Sequence, residues 1–268
     1  MLSFITWNPS PEIFSLGPIS IRWYGLLFAT SFLAGYKLMA YIFKKENISL
    51  EILDKLVIYV AIGTVAGARL GHCFFYDFDY YSQHPFEILQ IWKGGLASHG
   101  AAIGILLALF FFVKKVSTKS YWWVVDRVVI TVALASFFIR LGNLMNSEII
   151  GSVTNVPWAF IFLSEDGEPR HPSQLYEAIC YLFLFLTLMG IYLKKGTQLK
   201  EGFLFGLFLV LMFTTRFFME FIKAEQVDFE KGMLINMGQI LSLPMIVIGL
   251  VILFMVQTNK KLPKIVGK

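Results

Sequence analysis

The apolar run YWWVVDRVVITVALASFFI (121–139) passes directly into RLGNLMNSEIIG (140–151). A helix needs about 20 mainly apolar residues to cross a bilayer, so this run predicts a transmembrane helix. Its continuation carries an arginine, two asparagines and a glutamate, whereas a span ordinarily ends in interfacial aromatic or snorkelling lysine side chains. Desolvating such groups at a bilayer edge costs several kcal/mol unless each has a partner, so their presence indicates a function.

The composition of the whole chain is that of a membrane protein. Of its 268 residues, 57% are hydrophobic and 15% are charged, and the mean hydropathy is +0.67. A soluble domain carries about 25% charged residues. The composition therefore favours a single transmembrane domain over residues 1–268 and argues against a large soluble domain.

Seven apolar segments of spanning length follow one another and predict an all-α bundle of seven transmembrane helices. They lie near residues 20–43, 53–76, 96–113, 121–142, 174–193, 202–222 and 238–257. Lysines cluster after the first, third, fifth and seventh segments, so the positive-inside rule places the N-terminus outside and the C-terminus in the cytoplasm. The net charge of +5 is then explained by topology, and no nucleic-acid partner is expected.

Two predicted external connections are long, and two segments are rich in glycine. Residues 77–95 have an amphipathic, aromatic middle and predict an arm that lies flat on the membrane surface, and residues 143–172 predict a small extracytoplasmic cap. Glycines recur every four residues in the second and third segments, at positions 63, 67, 71, 100 and 104. This spacing predicts close packing of the two helices without a chemical role.

The predicted orientation brings many polar side chains to one depth, near the external face. They are Tyr24, Arg69, His72, His99, Arg140, Asn143, His171, Gln174, Glu177, Arg216 and Glu220. A transport path would distribute polar groups through the full depth, whereas a site that takes substrate from one leaflet concentrates them at one level. The pattern favours such a site over a small-molecule or lipid transporter. A structural subunit whose arginines only tie helices together is a further alternative.

Several of these groups have two readings. Arg140 has no acidic neighbour on its own helix face, so it needs a partner from another helix or an anionic ligand. Arg216 and Glu220 are four residues apart and either pair only with each other or serve a ligand. His99 is either a general base or a packed interfacial residue. Tyr24, on composition alone, suits the aromatic belt of a membrane protein.

Other polar positions have structural readings. Arg69 and His72 either tie the second segment to a neighbour or line the site. In RHPSQLYE (170–177), the proline and the following serine suit a helix start, with Glu177 in an early turn.

The chemistry that these residues favour is the binding of an anion. Two arginines at one depth can hold a phosphodiester through bidentate hydrogen bonds, which dry surroundings strengthen. A neutral histidine nearby would accept a proton from a nucleophile. The sequence has no HExxH motif, cysteine cluster or phosphate-binding glycine loop, so neither a metal nor a cofactor is expected.

Blocks distributed along essentially the whole chain resemble the bacterial prolipoprotein diacylglyceryl transferases. They are IRWYG (21–25), GARLG (67–71), KGGLASHGA (93–101), RLGNLMNSEIIG (140–151), RHPSQLYE (170–177), RFFMEF (216–221) and MGQILSLPM (237–245). The resemblance implies a multi-pass enzyme of the bacterial inner membrane. Such an enzyme would move the diacylglyceryl group of phosphatidylglycerol to the lipobox cysteine thiol of a prolipoprotein signal peptide. A thioether would form and glycerol phosphate would leave.

The resemblance also implies roles for individual residues. Arg140 and Arg216 match arginines that bind the phospholipid head group and the developing phosphate charge, and His99 matches the base for the thiol. The other matching functional positions are Tyr24, Asn143, Asn146, Glu148 and Gly151 for phosphatidylglycerol binding, and Glu220 for catalysis. The chain departs from the family at Met212, where many members carry tyrosine. Since the acceptor supplies the nucleophile, neither Cys73 nor Cys180 is expected to be catalytic.

Overall fold

The computed structural model describes residues 4–17, 19–224, 235–260, 262–263 and 265–266, and this part of the chain is mainly helical. The helices are α1 Trp23–Lys45, α2 Leu50–Phe75, the short α3 Phe78–Gln83, α4 Ser98–Lys115, α5 Tyr121–Met145, α6 Ser173–Lys195, α7 Phe203–Met219 and α8 Met237–Gln257. Single 3-10 turns follow at Pro85–Leu89, Ile91–Lys93, Gly196–Gln198 and Glu220–Ile222. Each long helix coincides with one predicted apolar segment.

Six of the helices in the described ranges are long and apolar enough to cross a membrane. They are α1, α4, α5, α6, α7 and α8, of which α6 and α7 are extended by the 3-10 turns that follow them. The prediction of a polytopic helical membrane protein is thereby confirmed. Helix α2 has 26 residues but is not one of the six, so the prediction of a seventh span stays a prediction.

The helix ends follow the usual capping chemistry. The side chain of Ser49 accepts a hydrogen bond from the amide of Glu51 at the start of α2, and Asn236 forms a reciprocal capping box with Gln239 at the start of α8. Helices α1, α4 and α6 each end on a pair of lysines, whose charge is favourable beside unpaired helix carbonyls.

Five short strands in the described residues correct the prediction of an all-α fold. They are β1 Ile5–Trp7, β2 Glu12–Leu16, β3 Ile19–Arg22, β4 Phe160–Phe162 and β5 Pro169–Arg170. Strand β4 lies between β1, which is parallel to it, and β5, which is antiparallel, while β2 and β3 form a hairpin that leads into α1. Strands of two to five residues are too short to show the alternation that identifies a strand in a sequence.

The chain divides into two compact units. The first unit comprises Met1–Leu38 and Val128–Lys260, and the second unit comprises Met39–Arg127 and Lys261–Lys268. In the first unit, Phe160 and Phe162 of β4 form a small core with Leu144, and Trp7 packs against this core. The N-terminal strand therefore belongs structurally with residues 143–172, which the sequence alone did not indicate.

Close glycine packing joins α2 and α4 in the second unit. A Cβ added at Gly63 would lie 2.6 Å from the carbonyl oxygen of Gly104, and one at Gly71 would lie 2.7 Å from the Cα of Gly100. Any side chain at these positions would separate the helices, which confirms the packing predicted from the four-residue spacing.

Buried Arg69 ties the segment after α2 to that helix. Its guanidinium donates to the carbonyl oxygens of Glu87 at 2.7 Å, Ile88 at 2.9 Å and Gly94 at 2.6 Å. Of the two predicted interpretations of Arg69, the described contacts support the structural one, because these bonds hold residues 87–94 against α2.

Candidate active site

The end of α5 and the start of α6 are joined by an ion pair in the first unit. Arg140 Nε lies 2.7 Å from Glu177 Oε2, and Arg140 Nη1 donates to Asn143 Oδ1 at 3.1 Å. The Glu177 side chain is fully buried, and Tyr181, one turn further along α6, is buried as well. The partner that Arg140 was predicted to need thus comes from another helix.

The polar residues that follow Arg140 form a hydrogen-bonded set around one carboxylate. Asn143 Nδ2 donates to Glu148 Oε2 at 3.0 Å, and Asn146 Nδ2 donates to Glu148 Oε1 at 3.0 Å. Because Asn143 also accepts from Arg140, the carboxylate of Glu148 orients the arginine through one intervening amide.

A lysine links this set to the end of α7. Lys223 Nζ lies 3.0 Å from Glu177 Oε1 and 2.9 Å from Glu220 Oε1, and its side chain is only 4% exposed. Asn236, the N-cap of α8, donates to Glu220 Oε2 at 3.2 Å. Glu177 and Glu220 therefore share one buried cation, which connects α6 with the C-terminal end of α7.

Arg216 is the more loosely held of the two predicted arginines. Its Nε lies 3.8 Å from Glu220 Oε1, and 38% of its side chain is exposed. An N–H···O hydrogen bond requires a donor–acceptor distance of about 2.7–3.2 Å, so this contact does not occupy a donor of Arg216. Glu220 is instead engaged by Lys223, and the guanidinium of Arg216 remains suited to receive an anion.

Three cations and two carboxylates thus alternate through the network. They are Arg140, Glu177, Lys223, Glu220 and Arg216. The carboxylate of Glu148, which Asn143 links to Arg140, balances the third positive charge. Anion binding therefore depends on the guanidinium of Arg216, which the 3.8 Å contact with Glu220 leaves able to donate, since charge-assisted hydrogen bonds strengthen as water is removed. Within the described residues, no three His, Cys, Asp or Glu side chains are grouped so that they could hold a metal ion.

Tyr24 and Gly151 border the network through close packing. A Cβ at Gly142 would lie 2.8 Å from Cδ2 of Tyr24, so the tyrosine ring packs against α5 at Gly142. In the sequence, Gly142 lies between Arg140 and Asn143. A Cβ at Gly151 would lie 2.5 Å from the carbonyl oxygen of His171 and 2.9 Å from that of Ile222. No side chain fits at Gly151, because the backbone carbonyls of His171 and Ile222 lie too close on either side. Its predicted role in substrate binding stays a prediction.

His99 lies in the second unit, in the first turn of α4. Its ring is exposed and contacts Phe75 and Tyr76, with centroid distances of 5.4 Å and 5.6 Å. The described contacts of this ring are aromatic, and its role as a base stays a prediction.

Sequence reasoning missed Lys223 and undervalued Glu177. From the sequence, Lys223 has the appearance of a lysine in a connecting loop, although its position three residues after Glu220 is the spacing of a helical ion pair. Glu177 was read as part of a helix start. Its position four residues before Tyr181, on one face of α6, was the available signal that the two side chains share one environment.

An exposed ion pair supports the segment that holds Gly151. Arg170 Nη1 donates to the carbonyl oxygen of Gly151 at 3.0 Å, and the guanidinium also contacts the carboxylate of Asp166. Hydrogen bonds from Arg170 lower the pKa of Asp166 to about 2. The carboxylate therefore stays charged, and the arginine stays in place, at any pH near neutrality.

Comparisons with known proteins agree on one family. A family model described as prolipoprotein diacylglyceryl transferase matches residues 11–255. Among similar curated proteins is the phosphatidylglycerol–prolipoprotein diacylglyceryl transferase of Tolumonas auensis, which is 49% identical over 95% of this chain and 98% of its own length. The proteins of the same name from Chloroherpeton thalassium and Bacteroides fragilis are 47% and 46% identical, over 98% and 95% of this chain and 98% and 96% of their own lengths.

Proposed function

The chain belongs to the prolipoprotein diacylglyceryl transferase family, and on that premise we propose that it transfers the diacylglyceryl group of phosphatidylglycerol to the lipobox cysteine of a prolipoprotein. The thiol sulfur attacks the glyceryl carbon that carries the phosphate, so that a C–S bond forms and the C–O bond breaks. Glycerol phosphate leaves with the electron pair of the C–O bond, and the thiol proton passes to a base. Because the relatives are named as transferases, a transporter is not favoured.

The observation that carries the proposal is the link between Arg140 and Arg216. The two arginines belong to different helices and are joined through Glu177, Lys223 and Glu220. Negative charge accumulates on the phosphate as the C–O bond breaks. Fixed cations aimed at that charge stabilise the transition state more than the ground state, which lowers the barrier.

The remaining candidate residues orient these arginines or accept the proton. Glu220 holds the end of α7 next to Lys223, and the amides of Asn143 and Asn146 fix Glu148 beside Arg140. The ring of Tyr24 packs against α5 at Gly142. The assignment of His99 as the base for the thiol rests on the family resemblance.

We place the enzyme in the bacterial inner membrane with seven spans, an external N-terminus and a cytoplasmic C-terminus. The lysine pairs that end α1, α4 and α6 support this orientation through the positive-inside rule. In it, the end of α5, the start of α6, the end of α7 and the start of α8 all lie on the external side. Phosphatidylglycerol and a signal peptide would both reach that level within the membrane, with residues 77–95 as a surface arm and residues 143–172 as a cap.

The test combines purified protein, phosphatidylglycerol and a lipobox peptide, with mass spectrometry of the peptide. We expect a diacylglyceryl adduct on the cysteine and an equal amount of glycerol phosphate, and no adduct on a peptide with serine in place of the cysteine. Absence of the adduct with the folded wild-type protein would overturn the proposal.

Two variants test the roles of individual residues in the same assay. Arg140→Ala should abolish transfer while the protein still inserts, and full activity of this variant would exclude a phosphate-binding role. His99→Gln should change the pH dependence of the rate, and an unchanged profile would remove His99 as the base.

A further inference from the structure

The turn that follows α5 has a backbone conformation that its residues disfavour. Ser147 and Ile149 both have φ of 56°, in the left-handed region. This region is unfavourable for residues other than glycine, asparagine and aspartate, and for a β-branched residue such as isoleucine it is a genuine outlier. Glu148 lies between these two residues, so the turn that presents its carboxylate is strained on both sides. Such strain persists only where surrounding contacts impose it.

Two buried side chains from the start of α6 supply those contacts. Ser173 Oγ donates to the carbonyl oxygen of Ile149 at 2.6 Å, and Gln174 Nε2 donates to that of Glu148 at 2.6 Å. Neither side chain is exposed. They therefore hold consecutive carbonyl groups of the strained turn, and each is costly to remove because a carbonyl group would lose its donor.

We propose that Ser173 and Gln174 are positioning residues that hold the turn Ser147–Ile149 in its strained conformation and thereby keep Glu148 in place beside Asn143. The proposal rests on the proposed function, because Asn143 is the residue through which Glu148 orients Arg140. If the carbonyl anchors are lost, the turn relaxes and Glu148 withdraws. Arg140 then loses its orientation toward phosphate, while the acceptor peptide is unaffected.

The first measurement follows the turn itself by hydrogen exchange of the protein in lipid nanodiscs. The amides of Glu148 and Gly151 are hydrogen-bonded to the carbonyl oxygens of Asn143 and His171, so their exchange reports opening of this segment. In Ser173→Ala we expect at least about tenfold faster exchange over residues 147–151.

Ser31→Ala is the matched control for this measurement. Ser31 is also buried and donates to a backbone carbonyl at 2.6 Å, but within α1. We expect its exchange over the same turn to match the wild type. Unchanged exchange in both Ser173→Ala and Gln174→Met would overturn the proposal.

The second measurement separates positioning from general damage. In Ser173→Ala we expect the KM for phosphatidylglycerol to rise at least about fivefold, with an unchanged KM for the peptide. Asparagine tolerates the left-handed region, so Ile149→Asn lowers the strain that the anchors oppose. Added to Ser173→Ala, it should restore both the exchange rate and the KM to within about threefold of the wild type.

Failure to restore either quantity would show that the serine supports the fold generally and would refute the positioning role. Absence of any transfer by the wild type would refute the proposed function alone, because the exchange rates measure the turn without the reaction.

Discussion

Replacing Lys223 with methionine is the sharpest test of the buried ion network. Methionine keeps most of the length and the apolar stem of lysine but removes its charge. The side chain of Lys223 is 4% exposed and lies 3.0 Å from Glu177 and 2.9 Å from Glu220, so the substitution leaves two buried carboxylates without their shared cation. Glu177 then keeps its ion pair with Arg140, at 2.7 Å.

The size of the effect follows from burial. Removing one partner of a buried ion pair costs about 3–5 kcal/mol, because the other charge stays desolvated. We expect Lys223→Met to lower the free energy of unfolding by about 3 kcal/mol, since Arg140 and Asn236 still contact the two carboxylates. The control is Lys93→Met: Lys93 pairs with Glu87 at the same distance of 3.0 Å, but the two side chains are 52% and 28% exposed. An exposed ion pair contributes only about 0–1 kcal/mol to the free energy of unfolding, so Lys93→Met should have a small effect.

The substitution should also change substrate binding. In the wild type, Arg216 Nε lies 3.8 Å from Glu220 Oε1. Without Lys223, Glu220 should draw this guanidinium closer, and the shorter ion pair would occupy donors that phosphate needs. We therefore expect a raised KM for phosphatidylglycerol in Lys223→Met. Lys223→Arg, which keeps the charge, should retain both stability and affinity better than Lys223→Met.

Thermal unfolding in one detergent and transfer kinetics measure the two effects. For a protein of this size, about 1 kcal/mol shifts the midpoint by roughly 2–4 °C, so the two lysine variants should differ by several degrees. Equal midpoints for Lys223→Met and Lys93→Met would refute the argument from burial. An unchanged KM in Lys223→Met would refute the competition between lysine and arginine for Glu220.

Three further predictions concern other parts of the chain. Arg216→Ala should lower kcat/KM by about 10²–10³-fold. It should leave the unfolding midpoint nearly unchanged, because the ion pair of Arg216 is long and its side chain is 38% exposed. A large fall in the midpoint would contradict this prediction. Gly104→Ala would place a Cβ 2.8 Å from the Cα of the facing glycine, and should destabilise by about 1–3 kcal/mol. Gly190→Ala meets no atom within 4 Å and should be neutral or stabilising by up to about 1 kcal/mol; equal midpoints for the two alanine variants would contradict the packing argument. Because Arg170 lowers the pKa of Asp166 from 3.8 to about 2, their pairing stabilises fully above about pH 4 and is lost as the pH falls toward 2. Over that range the unfolding midpoint of the wild type should fall more than that of Asp166→Asn, by an amount equivalent to at most about 1 kcal/mol for so exposed a group. Parallel plots of midpoint against pH for the two proteins would contradict this prediction.

The long helices were predictable because each apolar run is long enough to dominate its own segment. The run predicted at residues 174–193 is the helix Ser173–Lys195. The predicted start at residue 20 was early because residues 19–22 pair as β3, and the predicted end at residue 142 was early because α5 continues to Met145. A strand of four residues in a local hairpin shows too little alternation to be distinguished from the apolar run that follows it.

The candidate site was predictable in part. The need of Arg140 for a partner followed from the sequence, since an arginine at a membrane edge without a neighbouring acid is unfavourable. The identity of that partner did not follow, because Glu177 lies on another helix, and the buried position of Lys223 was hidden by its place in a connection that the sequence presents as a surface loop.

The sequence by itself determined that this is a helical membrane protein, because the transfer of apolar side chains from water acts on each segment separately and is readable from composition. Its motifs also determined the family. Only the tertiary structure decided which carboxylate holds which cation, and that Ser173 and Gln174 hold the strained turn at Ile149. These contacts join residues that are distant in the chain, and their energies depend on distance and burial, which exist only once the helices have packed.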